Sequence, residues 1–272
     1  MLVIFSGGSG VGKNTVISEL LKFEGFELLP TYTTRLKRET ESNGNPYFFI
    51  TNAEFEKKIE ENEFYEYETV HGCYYGTSKK LLKEKQKTNN ILLKDIDVLG
   101  THNLVNRIGA DIKLVTIFLK VDSKEVLVER LKQRKEKDIE KRLSRYDMEQ
   151  SHQHEYNYII TNNDLETTKR LVFDIINFEK ESEYLYATRN VKEINESLVY
   201  EYANKLKQGE ILSPIKIAVK EGKIYIIEGH QRYLASIMTG VKIAQEIVFN
   251  ATFDEVEQYS WLETIQFYKN KE

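Results

Sequence analysis

Nine consecutive residues carry the strongest chemical signal in this chain. Gly7, Gly8, Ser9, Gly10, Val11, Gly12, Lys13, Asn14 and Thr15 follow, after Ser6, on an apolar run, Leu2-Val3-Ile4-Phe5. A short strand feeding a glycine-rich turn and then a helix presents successive backbone N–H groups to a phosphate, and the positive end of the helix dipole points at the same place. Glycines let the backbone approach without a Cβ in the way. Lys13 adds the point charge that reaches the β- and γ-phosphates of a nucleotide. After the lysine, a Ser or Thr hydroxyl usually binds Mg²⁺. Here that position is Asn14, whose amide oxygen is a weaker Mg²⁺ ligand; the alternative is a metal held mainly by nucleotide oxygens and water.

A second group of residues suits a second phosphate and a base. Thr31-Tyr32-Thr33-Thr34-Arg35 is followed by Arg38, Tyr47, Glu66 and the run His71-Gly72-Cys73-Tyr74-Tyr75-Gly76-Thr77-Ser78. Two arginines three residues apart among hydroxyls match phosphate geometry. A tyrosine O–H suits a phosphate oxygen, and a carboxylate such as Glu66 can accept from two N–H groups on one edge of a base. Asp95 and Asp97 end the apolar run Ile91-Leu92-Leu93, where an acidic residue can orient Mg²⁺ or the acceptor.

The elements that must position these groups alternate strand and helix over the first ~180 residues, as α/β folds do. Strands are expected at residues 2–5, 47–50, 64–70, 91–93, 114–119 and 158–160. Helices are expected at 12–23, 53–62 (capped by Thr51 or Asn52) and 165–178, with a long charged helical stretch over 123–154. A polar stretch at 179–183 reads as a domain boundary, giving domains 1–180 and 184–272. The second has helices at 195–207, 229–239 and 253–267, and strands at 215–219, 224–227 and 247–249.

Composition bounds the partners. Of 272 residues, 40% are hydrophobic and 30% charged, with a formal net charge of −4; a general nucleic-acid binder would more often be basic. No apolar run approaches the ~18 residues of a membrane span, and Leu2–Phe5 is too short for a secretory leader. The single cysteine, Cys73, cannot form an intrachain disulfide. A cytoplasmic chain with no membrane contact is the expectation. Self-association is left open.

The constellation from the glycine loop to Ser78 closely resembles guanylate kinase, and the resemblance runs from residue 1 to about 180. It implies a P-loop nucleoside monophosphate kinase fold, α/β with a parallel sheet, and transfer of the γ-phosphoryl group of ATP to GMP with Mg²⁺. By that resemblance Gly7–Thr15 and Asn162 meet ATP. Arg35, Arg38, Tyr47 and Tyr75 hold the GMP phosphate, and Glu66, Thr77 and Thr31 read the guanine, with Asp97 nearby. Lys13, Arg35, Asp95 and the lid arginines Arg134 and Arg142 act on the transferring group. The lid between those arginines looks a few residues shorter than is usual. Other relatives are scaffolds that keep the fold and bind partner peptides; the intact Lys13 and arginines favour an enzyme. A kinase for dGMP or a modified nucleotide stays open.

In the second domain, Glu228-Gly229-His230-Gln231-Arg232 stands at a strand-to-helix junction. N–H groups at the helix start, with Arg232 and His230, suit a phosphate or carboxylate. The segment is similar to the ParB and sulfiredoxin-like superfamily in the helix before Ser213-Pro214-Ile215, the paired strands and the Glu228–Arg232 turn. The resemblance implies a small α+β domain that binds a nucleotide or another phosphate ligand. From residue 181 on there are 11 Lys and Arg against 14 Asp and Glu, a net of −3, which argues against duplex DNA.

Overall fold

The computed structural model describes residues 1–39, 41–70, 72–109, 112–133 and 139–271, without the side chains of Lys141 and Arg142. It divides into two compact units, Met1–Leu119 and Lys120–Glu272.

In the first unit, β1 (Leu2–Ser6) leads into α1 (Lys13–Leu20), then β2 (Phe26–Leu28) and β3 (Thr31–Thr33). Next come β4 (Ser42–Asn43), β5 (Pro46–Phe49) and α2 (Asn52–Glu60). β6 (Phe64–Val70), β7 (Cys73–Ser78), α3 (Lys79–Lys85), β8 (Ile91–Asp95), α4 (Val98–Ile108) and β9 (Leu114–Lys120) complete it. β2, β8, β1 and β9 lie side by side, all parallel, with Phe5 opposite both Asp95 and Ile117. Every residue of β1 is buried, which is why Leu2–Phe5 is continuously apolar rather than alternating. A second sheet, ordered β4-β5-β3-β7-β6, is mixed: β3 pairs parallel with β5 and antiparallel with β7. Leu2, Ile4, Leu29, Tyr65, Leu82, Leu92, Leu104 and Ile108 form one buried cluster. Thr51 and Glu54 cap α2 reciprocally, as a Thr three residues before a Glu dictates.

In the second unit come α5 (Lys124–Gln133), α6 (Ile139–Leu143), α7 (Tyr146–Ser151), β10 (Tyr158–Thr161) and α8 (Leu165–Glu181). They are followed by β11 (Tyr186–Ala187), α9 (Glu196–Lys207), β12 (Ile215–Lys220), β13 (Lys223–Glu228), α10 (His230–Thr239), β14 (Gln245–Ile247) and α11 (Tyr259–Lys269). The expected charged helical stretch over 123–154 is interrupted by a turn at Ser144–Arg145. Glu149 is the only buried residue of α7, so little apolar packing carries a helix through this region. The β12–β13 hairpin forms as its turn predicts: Glu221 and Gly222 both take positive φ, 52° and 73°, the geometry of a type I′ turn. The last helix begins at Tyr259 rather than Phe253, because Glu257 accepts from the Tyr259 and Ser260 N–H groups and sets the start there.

Compactness divides the chain elsewhere than composition does. β14, from beyond the polar stretch at 179–183, pairs parallel with β10, from before it, with Tyr158 opposite Gln245. Lys120 and Lys216 both reach the Glu246 carboxylate. Leu185 is held by the Tyr233 hydroxyl on its N–H (2.9 Å) and by the Trp261 indole on its carbonyl (2.9 Å).

Candidate active site

The glycine loop is shaped by what packs against it. Gly7 has φ +123°, and a Cβ there would lie 2.1 Å from the Leu119 carbonyl oxygen, so only glycine fits. Gly12 (φ +103°) precedes the first turn of α1. Lys13 folds back over its own loop: Nζ donates to the carbonyls of Gly7 (2.6 Å) and Gly8 (3.1 Å) and stands 4.0 Å from Asp95 Oδ1. Burial pushes the Asp95 carboxyl up, and Lys13 and then Lys94 act against it.

A cavity of about 570 Å³ opens beside this loop, walled by Asn14, Thr15, Thr31, Glu41, Tyr47 and Asp95 among others. That volume is in the range of small-ligand sites, roughly 300–1,000 Å³. Asn14 is exposed, and its amide oxygen and the Thr15 hydroxyl are hard donors that fit Mg²⁺. Among the described residues no three acids, histidines or cysteines gather as a metal cluster.

Arg35 is braced from three sides. Nη2 meets Glu41 Oε1 at 2.7 Å, Nη1 donates to the Leu36 carbonyl at 2.8 Å, and the guanidinium lies over the rings of Tyr47 and Phe49. The other Glu41 oxygen accepts from the Arg38 N–H at 2.9 Å. Burial alone would raise the Glu41 carboxyl; the bonds from Arg35 and Arg38, with their charges, hold it below its ordinary range. Glu41 went unremarked in the sequence, although an acid three residues after Arg38 in the same loop is a readable signal. The Arg38 side chain is exposed. Burial, with Asp95 and Tyr75 nearby, pushes the Tyr47 phenol far up, so it remains an O–H donor. Its ring meets Tyr75 edge-on at 5.9 Å.

Behind Thr31 lies a buried polar group. Glu66 is 3% exposed and accepts from the Thr77 hydroxyl; β6 and β7 place them opposite each other. Lys94 is fully buried, and its Nζ donates to Thr31 Oγ1 at 2.6 Å. Burial pushes Glu66 up and Lys94 down, and each opposes the other's shift by its charge. Lys94 was passed over in the sequence because it directly follows the apolar run Ile91–Leu93. Asp97 caps α4, accepting from the Gly100 N–H at 2.7 Å.

The remaining candidates belong to the second unit. Arg134 and the side chain of Arg142 lie outside the described residues. Asn162 is 5% exposed: its amide oxygen accepts from Thr168 (2.8 Å), and its carbonyl accepts from Arg130 (2.8 Å). At the strand-to-helix junction, Gly229 takes φ +103° and precedes α10. Arg232 donates to the Ser213 carbonyl at 2.8 Å and meets the exposed Glu228 at 3.2 Å. His230 corrects the expectation of a charged phosphate ligand. It is fully buried, its Nε2 accepts from the Thr188 N–H at 3.2 Å, and Trp261 packs edge-on against it. Burial, and then the Arg189 charge, push it down to about 4, so it is neutral at physiological pH.

The guanylate kinase family profile matches residues 1–179. A guanylate kinase from Chlorobaculum tepidum is 40% identical over 171 residues, which are 61% of this chain and 87% of that protein. One from Novosphingobium aromaticivorans is 36% identical over 184 residues, 66% of this chain and 82% of that protein. The crystal structure of guanylate kinase from Anaplasma phagocytophilum superposes with a TM-score of 0.55 at 28% identity, over 67% of this chain and 86% of that one. With the glycine loop, the braced arginine and the buried carboxylate in place, this chain belongs to the guanylate kinase family and is a nucleoside monophosphate kinase of that type.

Proposed function

We propose that the chain transfers the γ-phosphoryl group of ATP to the 5′-phosphate of GMP or dGMP. The observation that carries this reading is a cavity walled by Asn14, Asp95, Thr31, Tyr47 and Glu41, with Lys13 4.0 Å from Asp95 and Arg35 paired with Glu41. The loop N–H groups and Lys13 cradle the donor phosphates, and Lys13 exchanges its loop carbonyls for them. Arg35 and the Tyr47 O–H fix the acceptor phosphate, with Arg38 and Tyr75 beside it. An acceptor phosphate oxygen then attacks the γ-phosphorus and the bond to the β,γ-bridging oxygen breaks, giving ADP and GDP or dGDP. Positioning and charge stabilisation do most of this work. Asn14 and Thr15 would hold Mg²⁺, which when bound neutralises phosphate charge. Asp95 is assigned the acceptor, and the family resemblance assigns Arg134 and Arg142 to the transferring group and Asn162 to the adenine.

A coupled assay of the whole chain with ATP, Mg²⁺ and a panel of nucleoside monophosphates tests this. Turnover with GMP or dGMP well above AMP, CMP and UMP supports the reading. Absence of turnover with any of them favours a scaffold, and preference for another base favours a different kinase.

Residues 184–272 form, on this reading, a ParB/sulfiredoxin-like module that binds a nucleotide or another phosphate ligand. The backbone turn at Gly229 and the adjoining Arg232 support it, since an anion could replace Glu228 on the guanidinium. His230 serves there as packing. Because β14 is paired with β10, binding is best measured by calorimetry on the whole chain: nucleotide binding lost in Arg232→Ala supports the module, and salt-sensitive binding of duplex DNA alone overturns it.

A further inference from the structure

The kinase reading leaves one buried charge without a task. An ammonium removed from water is costly unless it is paired and hydrogen-bonded. The Glu66 carboxylate, and after it that of Asp95, balances the Lys94 charge, and among the described residues Lys94 makes one hydrogen bond, to Thr31 Oγ1 at 2.6 Å. An ammonium only donates, so this bond has one polarity. Thr31 accepts, and its own proton must find another acceptor. No described residue takes it, and Thr31 lines the cavity. The Thr77 proton is engaged on Glu66, which leaves the Thr77 oxygen and the second Glu66 oxygen as acceptors. Thr31 on the cavity wall therefore offers a donor, and the buried Glu66 and Thr77 offer acceptors.

We propose that Lys94 is a positioning residue that fixes the hydrogen-bond polarity of the base pocket, holding Thr31 as a donor beside the Glu66 acceptor and so selecting a 6-oxo-purine with an N1–H over a 6-amino-purine. The proposal rests on the kinase reading. A 6-oxo-purine presents an acceptor at position 6 and a donor at N1, matching Thr31 and Glu66; a 6-amino-purine reverses both. A lone hydroxyl could turn and accept from the amino group. Beside Lys94 it cannot do so cheaply, because one lone pair is taken and the positive charge disfavours a second N–H on the same oxygen.

The test is Lys94→Met, a neutral side chain of similar length, compared with the wild type on ATP, GMP, IMP, AMP and 2-aminopurine ribonucleoside 5′-monophosphate. KM for GMP and for IMP should rise together by about tenfold, the worth of one hydrogen bond. KM for ATP should stay put, the nucleotide lacking a 6-oxo group should be unaffected, and the preference for GMP over AMP should shrink. Equal KM values for GMP in the two proteins, or a joint rise for GMP and ATP, would overturn the proposal. If Lys94→Met does not fold, Thr31→Val supplies the second arm. It should narrow the gap between GMP and the 2-aminopurine nucleotide, and an unchanged gap would be equally fatal. A wild type that ignores GMP sinks the kinase reading itself; a wild type that uses GMP while Lys94→Met behaves identically sinks only this one.

Discussion

The carboxylate of Glu41 grips the Arg35 guanidinium at 2.7 Å while its second oxygen takes the Arg38 N–H. Arg35 is thereby held over Tyr47 and Phe49 before any ligand arrives. Preorganised charge costs less at the moment of binding than a mobile side chain. Glu41→Gln should therefore raise KM for GMP by about tenfold, roughly 1.4 kcal/mol, with KM for ATP little changed. Steady-state kinetics varying each substrate in turn checks this; equal effects on both would mean Glu41 supports the unit as a whole.

Lys13→Ala should lower kcat by at least about 100-fold, as the loss of one preorganised charge at the transition state does. Its own bonds are to loop carbonyls, so the circular dichroism spectrum should match wild type. Wild-type turnover in this variant would contradict the phosphate-loop assignment.

On the proposed reading of Glu66 as the guanine-binding carboxylate, GMP binding should be sensitive to pH. Burial pushes its carboxyl up to about 7, Lys94 and the Thr77 bond pull it down, and Asp97 and Glu68 push it up further. Above that pH the ionised group would accept from the base. As pH falls through it, the group gains a proton and faces a donor with a donor. KM for GMP should rise toward acid pH while KM for ATP stays flat. In Glu66→Gln the pH dependence should vanish and GMP should be used poorly at every pH. A wild-type profile for GMP as flat as that for ATP would refute this.

Asn14→Ser should lower the Mg²⁺ concentration needed for half-maximal activity, by restoring a hydroxyl ligand at the position after the lysine. An unchanged Mg²⁺ titration would place the metal wholly on nucleotide oxygens and water.

Local chemistry was legible in the sequence. The glycine loop, the Thr51–Glu54 cap and the Gly222 turn each depend on residues a few positions apart, so spacing alone specifies them. The long-range partnerships were not. Glu41 and Lys94 drew no reading from the sequence, and only folding set one against Arg35 and the other behind Thr31, 63 positions away. His230 looked like an anion ligand because its neighbours in sequence are polar, whereas its neighbours in space are Thr188 and Trp261. The compact unit that begins at Lys120 was hidden for the same reason. Strand pairing between β10 and β14 joins residues more than eighty positions apart. Such pairing is decided by which backbone edges and apolar faces meet, a property of the folded chain and not of any window of its sequence.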